Sequence, residues 1–349
     1  MKKINVLQLV TGLAMGGAEK VVFDLSKYTN RNAFNTFVLA MSKNDERLEE
    51  FVNNNINTTI LRKSKGLKDF IQIIREVNSF IKKNKIDIVH AHMTHSVIIA
   101  SFIKIKNPSI KIVYTSHNLN IGSRLRELIV WSLKAFREID IIFSKDILKY
   151  FYKKNYQIIP NGIKMDDYNL DLIKNKKFTF VAVGRLEAAK NHKFLIEIAK
   201  KLKNKFDFDI QIVGDGSLKD DLTRLIEQYE LNDTVRLLGL RNDIPQLLNK
   251  SHCLLMPSLW EGLPIVILEA GASSLPIVST PVGSIASLLN DNNAYVTGLN
   301  KFEENMINVL TNYEEAKKKG LNLFKTVNEN YSIETVVQAH EVIYKGLMK

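Results

Sequence analysis

The chain has 349 residues, 45% of them hydrophobic and 25% charged, with 16 Gly and 7 Pro. That composition excludes collagen-like and low-complexity chains and supplies apolar mass for two globular cores, the default at about 100–200 residues per domain. The single cysteine, Cys253, excludes an internal disulfide or thiolate metal site and suits a reducing compartment, and no apolar run reaches the roughly 20 residues of a membrane-spanning helix.

Lys2, Lys3 and the apolar run behind them have the outline of a secretion signal. Gln8, Thr11 and Gly12 interrupt that run, and the same residues predict a strand at 4–10, a glycine-bearing loop at 11–17 and a helix opening at Ala18. Further strands are expected at 36–41, 58–61, 86–90, 110–115, 139–143 and 157–159, with helical patterns between them such as 18–28, 67–84 and 123–136. The turn Pro160-Asn161-Gly162 closes this series, and a polar stretch at 164–177 follows. A second series of strands runs 178–183, 208–213, 235–238, 253–256 and 276–279. Strands alternating with helices predict parallel sheets covered on both faces, so two α/β units joined near residue 162 are expected. Ligands of such sheets lie at the carboxyl ends of the strands.

The net charge of +12 is unevenly spread: residues 1–160 hold 26 Lys and Arg against 13 Asp and Glu, and residues 161–349 hold 23 against 24. A lysine-favouring codon bias would raise both halves alike. The asymmetry points to an anionic partner for the first half, whether a membrane surface, a phosphorylated substrate or nucleic acid.

The most informative segment is Glu261-Gly262-Leu263-Pro264-Ile265-Val266-Ile267-Leu268-Glu269, which follows a predicted strand. Pro264 suits the first position of a helix, and the free N–H groups of a helix start form an anion site of the kind that holds phosphates. A diphosphate there would leave one of Glu261 and Glu269 for hexose hydroxyls and the other for ribose hydroxyls; the plainer reading is two helix-flanking acids. Arg185 and Lys190 stand five residues apart in an exposed loop that Gly184 opens. Two fixed cations there can neutralise a departing diphosphate, the alternative being a solvated basic turn. Gly16 and Gly17 let the backbone approach a ligand closely, without the Gly-x-Gly-x-x-Gly spacing of a dinucleotide fingerprint. His90 and His92 share one side of a strand, yet no Asp or Cys ligand stands near, so satisfied core histidines are the better reading. Asp207-Phe208-Asp209 enters a strand rather than ending one, which argues against a metal role.

Several other segments stand with these: Gly16-Gly17-Ala18-Glu19, Asp87-Ile88-Val89-His90-Ala91-His92, Ser116-His117-Asn118, Ile159-Pro160-Asn161-Gly162, Val183-Gly184-Arg185-Leu186 with Lys190, Val213-Gly214-Asp215-Gly216 and Pro257-Ser258. In this order, over nearly the whole length, the chain resembles the retaining glycosyltransferases of family 4. The resemblance implies the α/β GT-B fold, two Rossmann-like doubly wound parallel-sheet domains facing a central cleft. Residues 1–162 would form an acceptor-binding domain on which a closing helix at 331–349 packs back, and residues 163–330 a nucleotide-sugar-binding domain. Donor contacts would come from Gly16, Gly17, Arg185, Lys190, Glu261, Gly262, Leu263, Pro264, Ile265 and Glu269. Glu261, His117, Arg185 and Lys190 would carry catalysis, with His117 bonded to a sugar hydroxyl or the departing phosphate. No metal or other cofactor is implied, and the donor would be a UDP-, GDP- or other nucleoside diphosphate sugar. Two departures touch the base and ribose region: Val282-Gly283-Ser284-Ile285-Ala286-Ser287 has serines where the family usually carries a second glycine and a later glutamate, and Ala272-Ser273-Ser274-Leu275 replaces a more usual Cys-Gly or Ser-Gly.

The activity so implied is retaining transfer of a hexose to a hydroxyl acceptor, a glycan or polyprenyl-linked glycan of cell-surface polysaccharide synthesis such as O-antigen, capsule or glycolipid. With no carboxylate clearly placed as a covalent nucleophile, front-face displacement is implied. A GT-B epimerase or phosphorylase is the alternative enzyme, opposed by the Arg185, Lys190 and glutamate set and by the lack of a lysine context for a pyridoxal cofactor. A basic nucleic-acid-binding protein would rest on charge alone, so no nucleic acid is expected. Segments 62–85 and 121–137 set cations, Arg137 among them, beside Leu67, Phe70, Ile71, Ile74, Phe80 and Ile81 and beside Leu125, Leu128, Trp131 and Phe136. They are the candidates for contact with an anionic membrane, which would place a cytoplasmic protein on the inner face of the cytoplasmic membrane. Otherwise both apolar stripes face the core.

Overall fold

The computed structural model describes residues 2–14, 16–64, 66–117, 123–143, 155–261 and 264–349, the side chains of Leu67 and Ser284 excepted. Gly262, Leu263 and Asn118, as well as the first two residues of segment 121–137, therefore lie outside the described residues.

Strand and helix alternate from the start: β1 (Ile4–Val10), α1 (Gly17–Tyr28), β2 (Phe34–Ser42), α2 (Leu48–Asn53), β3 (Asn57–Lys63), α3 (Leu67–Lys83), β4 (Ile88–His92), α4 (Met93–Lys106), β5 (Lys111–Thr115), α5 (Arg124–Ser132), β6 (Ile139–Ile142) and β7 (Tyr156–Ile158). All pair in parallel in the order β3-β2-β1-β4-β5-β6-β7. Parallel strands need helices on both faces, which is why β1 and β4 are buried from end to end apart from the first two residues of β1.

The second series is β8 (Phe178–Val183), α6 (His192–Leu202), β9 (Phe208–Val213), α7 (Lys219–Gln228), β10 (Val235–Gly239), α8 (Ile244–Lys250), β11 (Cys253–Met256), α9 (Ile265–Ala272), β12 (Ile277–Ser279), β13 (Tyr295–Val296), α10 (Phe302–Thr311) and α11 (Tyr313–Tyr331). Its sheet repeats the winding in the order β10-β9-β8-β11-β12-β13. Each sheet thus starts at a central strand, winds to one edge and crosses back, so its strand order reverses at β1/β4 or at β8/β11.

The last helix, α12 (Ile333–Leu347), belongs to the first compact unit with the residues up to Gly162, and Ile163–Ser332 form the second. Its Val336 and Tyr344 complete an apolar layer with Val6, Phe34, Ile88, Val113, Ile139 and Ile141 on one face of the first sheet. Gly162 makes room for it: a Cβ there would stand 3.0 Å from Ile333 Cδ1 and 3.2 Å from Ile333 Cα.

Two sequence expectations shift. The strand expected at 86–90 runs Ile88–His92, because Asp87 Oδ2 instead accepts the Asn5 N–H at 2.8 Å while the polar His90 and His92 stay inside the sheet. Arg137, expected among exposed cations, is 1% exposed. Its Nε donates to Asp140 Oδ1 at 2.7 Å, Nη2 to Asp140 Oδ2 at 3.0 Å and Nη1 to the Val130 carbonyl at 2.7 Å. A bidentate partner and a satisfied third donor are what allow a guanidinium to be buried.

Candidate active site

In the second unit, β8 and β11 flank the point where strand order reverses, and their carboxyl ends carry the loops that sequence reasoning assigned to the donor. After β8 come Gly184, Arg185 and Leu186, a 3₁₀ turn at Ala188–Lys190 and the left-handed Asn191 (φ 55°), where α6 begins. After β11 come Pro257, Ser258, Leu259, Trp260 and Glu261. The two loops are tied together. Leu259 N donates to the Ala189 carbonyl at 2.8 Å and Asn191 Nδ2 to the Pro257 carbonyl at 3.2 Å. Lys190 Nζ pairs with Glu261 Oε1, which also accepts from Ser258 Oγ at 2.8 Å. A third loop, after β9, packs under the first: a Cβ on Gly214 (φ 141°) would fall 1.9 Å from the Gly184 carbonyl oxygen, so only glycine fits.

The exposed-loop expectation holds for Arg185 alone. Its side chain is 78% exposed and meets Glu187 at 3.0 Å, whereas the Lys190 side chain is 22% exposed and held by Glu261. Pro264 caps α9 rather than opening it, leaving the N–H groups from Ile265 onward at the helix start. Glu269, one turn further in, accepts from Tyr168 Oη at 2.7 Å. The stretch 164–177 reads in sequence as a polar connector, and nothing in its composition marks Tyr168 as a site residue. Asp207 and Asp209 pair with Lys177 at 3.2 and 2.9 Å at the start of β9, and Arg236 pairs with Asp209, so this Asp-x-Asp anchors a strand.

In the first unit, His117 follows β5 and stands half-buried beside β4. His90, His92 and His117 form no metal set; among the described residues no group of three or more His, Cys, Asp or Glu is placed to hold an ion. They are threaded into a hydrogen-bonded chain instead. His92 Nδ1 lies 2.9 Å from His117 Nε2 and His92 Nε2 lies 2.7 Å from Gln8 Oε1. Gln8 Nε2 donates to Tyr344 Oη at 3.3 Å, and Tyr344 Oη lies 2.7 Å from His90 Nδ1. His90 Nε2 lies 2.6 Å from Thr115 Oγ1. Burial lowers His90 and His92 well below the ordinary imidazole range and pushes His117 down to about 3. All three rings are neutral near pH 7. Of the two glycines of the first loop, Gly16 faces the Glu19 carboxylate and Gly17 faces open space. A cavity of about 450 Å³ lies at the carboxyl ends of β1, β2 and β3, lined chiefly by Met41, Phe70, Ile73, Ile98 and Ile99, with Lys63 and His95 also on its wall.

The family model described as "Glycosyltransferase Family 4" matches residues 15–167, and that described as "Glycosyl transferases group 1" matches residues 169–322. A UDP-Gal:alpha-D-GlcNAc-diphosphoundecaprenol alpha-1,3-galactosyltransferase of Escherichia coli is 30% identical over 288 residues, 74% of each chain. The chain belongs to the family 4 glycosyltransferases. This glycosyltransferase is also 27% identical over 298 residues to a capsular polysaccharide biosynthesis glycosyltransferase, CapH, of Staphylococcus aureus, covering 80% of this chain and 82% of that one. Among solved structures, Anabaena HepE in complex with UDP superposes with a TM-score of 0.85 at 17% identity, covering 98% of this chain and all of that one. A glycosyltransferase from Rickettsia africae superposes with a TM-score of 0.85 at 19% identity over the full length of both. At these identities the likeness shows the fold, and the fold is GT-B.

Sequence reasoning placed Arg185, Lys190, Glu261 and Glu269 of this glycosyltransferase in loops and a helix start that the structure brings to one sheet edge. It gave Ser258 only within the Pro257-Ser258 segment, with no role, and missed Tyr168, Gln8 and Tyr344. Gln8 alone left a signal, as a polar residue inside an apolar strand.

Proposed function

We propose that this glycosyltransferase moves a hexose, with retention, from a UDP-sugar to a hydroxyl of a lipid-linked glycan in cell-surface polysaccharide synthesis. The observation that carries the donor half is the Lys190–Glu261 pair joining the two loops at the β8/β11 reversal, with Arg185 exposed beside it. In this reading Arg185, Lys190 and the backbone N–H groups at Gly262, Leu263, Pro264's successor Ile265 and beyond receive the diphosphate. Glu261 takes hexose hydroxyls, Glu269 the ribose, and the backbone at Gly16 and Gly17 closes on the donor. Bond breaking leaves the electron pair on the diphosphate oxygen. That oxygen takes the acceptor hydroxyl proton while the acceptor oxygen bonds to the anomeric carbon from the same face. His117 bonds to the sugar. The cations at the diphosphate are side chains, so the reaction proceeds without a metal ion.

The acceptor half rests on the relatives named for a diphosphoundecaprenol substrate and for capsule synthesis, and on the first unit's apolar cavity and positive charge. Membrane contact is assigned to α5 and the neighbouring end of α4. Leu125, Leu128, Trp131, Phe102 and Ile105 are 67, 53, 39, 43 and 59% exposed, beside Arg124, Arg126 and Lys106. Most of the apolar stripe of α3 is turned instead to the core, where Phe70, Ile74, Phe80 and Ile81 pack. Among the described residues no helix is long and apolar enough to cross a membrane.

Donor hydrolysis with a panel of nucleotide sugars, in excess EDTA, tests the proposal. Hydrolysis of a UDP-sugar with release of the same anomer is expected. Inverted product, or activity restored only by added Mn²⁺, would overturn it.

A further inference from the structure

The chain of buried polar contacts in the first unit has a direction, and the direction has a chemical consequence. A carbonyl oxygen only accepts, so the contact of Gln8 Oε1 with His92 Nε2 at 2.7 Å places the His92 proton on Nε2. A neutral His92 then has a bare Nδ1, which must accept, so the 2.9 Å contact places the His117 proton on Nε2. At the other end of the amide, Gln8 Nε2 donates to Tyr344 Oη at 3.3 Å, which frees the phenol proton for His90 Nδ1 at 2.7 Å. His90 Nε2–H then donates to Thr115 Oγ1 at 2.6 Å. Every link points the same way, from His117 through His92, Gln8, Tyr344 and His90 to Thr115. Aligned donors of this kind polarise one another, and reversing one link requires reversing all. Gln8 and Tyr344 are fully buried, and Gln8 stands opposite His90 in the β1–β4 register, at the reversal point of the first sheet.

We propose that Gln8 and Tyr344 are positioning residues that hold His117 as the Nε2–H tautomer, presenting a bare Nδ1 that accepts a hydrogen bond from a donor-sugar hydroxyl and gives none to the leaving phosphate. The proposal rests on the role for His117 given above and decides between its two ligands. A phosphate oxygen needs a donor, and the tautomer withholds one at Nδ1; a hydroxyl brings its own proton. The closing helix thereby has a task in the chemistry besides covering the sheet, because its Tyr344 holds the Gln8 amide in the orientation that sets the polarity.

The test is ¹⁵N NMR of histidine-labelled full-length protein, with the His117 signals assigned by their loss in His117→Ala. Wild type should show His117 protonated at Nε2 and bare at Nδ1. Tyr344→Phe keeps the ring and removes the hydroxyl, and Gln8→Met removes both amide links. Each should convert the single His117 tautomer into a mixture. Turnover of the UDP-sugar donor should fall about 10- to 100-fold, the range for loss of a partner that orients an imidazole through its second nitrogen, with UDP affinity unchanged. His117 protonated at Nδ1 in wild type would overturn the proposal outright. So would an unchanged single tautomer in Tyr344→Phe, whether or not Gln8→Met folds. The NMR result does not depend on turnover, so a protein inactive on every nucleotide sugar would count against the proposed function and leave the relay to stand or fall on its own spectrum.

Discussion

Removing one member of the Lys190–Glu261 pair should cost stability as well as activity, by amounts the structure separates. The side chains are 22% and 8% exposed, so the pair lies between an exposed ion pair, worth at most about 1 kcal/mol, and a buried one, where loss of one partner costs about 3–5 kcal/mol. Lys190→Ala leaves Glu261 with Ser258 Oγ at 2.8 Å, a neutral donor that keeps one lone pair satisfied. About 2 kcal/mol is therefore expected for Lys190→Ala, with a coupling of about 1–2 kcal/mol in the double-mutant cycle with Glu261→Ala. The assay is urea unfolding followed through Trp260, which is 64% exposed and adjoins Glu261; Trp131→Phe removes the other of the two tryptophans. Activity should fall much further, by about 10²-fold or more, as for loss of one contact to the charge developing on a leaving group. A coupling below about 0.5 kcal/mol would mean that the pair does not hold the two loops together. Wild-type turnover in Lys190→Ala would remove this lysine from the chemistry.

The two glutamates should part in a binding assay: Glu269→Ala should weaken UDP itself, and Glu261→Ala should weaken the UDP-sugar while sparing UDP, so equal loss of UDP affinity in both would contradict their assignment. Acid should destabilise the first unit, because His117 at about 3 and His340 at about 4 titrate below the roughly 6.5 of unfolded imidazole, so protons favour the unfolded chain. Stability should be whole above about pH 6.5 and fall by about 1.4 kcal/mol per pH unit for each such ring below it; a denaturation midpoint flat between pH 6.5 and 5 would mean that the rings are charged or exposed when folded. Wild-type protein should pellet with anionic but not neutral liposomes at low salt, and Leu125→Ser with Leu128→Ser should abolish it. Equal, negligible pelleting of wild type with both lipids would leave a soluble acceptor as the default.

The sheets were legible in the sequence because central parallel strands are predominantly apolar segments, and β1, β8, β9 and β11 are such segments, found with their observed ends despite Gln8 in β1 and Asp209 and Gln211 in β9. Lys190 and Glu261 each stood out in the sequence, but their pairing did not, because a separation of 71 positions carries no local sign of it. The same separation hides the relay: Gln8 and Tyr344 meet across 336 residues, and a tyrosine on an amphipathic terminal helix looks like any other core side chain. Arg137 misled for the converse reason. An arginine among apolar residues looks like a membrane-facing cation until Asp140, three residues on, is seen to turn inward with it.

One winding pattern thus serves two kinds of chemistry. At the β8/β11 reversal the described side chains are charged, with Lys190 neutralised by Glu261 and Arg185 left facing solvent. A cation already paired has its desolvation offset before a ligand arrives, and it can shift part of its interaction to a diphosphate as negative charge gathers on the leaving oxygen. At the β1/β4 reversal the groups are neutral, and burial keeps them so. Neutral rings in a low-dielectric site discriminate by the direction of their protons, because a misdirected hydrogen bond leaves a buried lone pair facing another. A transferase needs both: charge that strengthens as a diphosphate departs, and a neutral contact that holds an uncharged sugar without competing for that charge. A histidine free to protonate near pH 7 would be drawn to the phosphate; burial keeps this one neutral, and the relay from His117 to Thr115 keeps its one proton on Nε2.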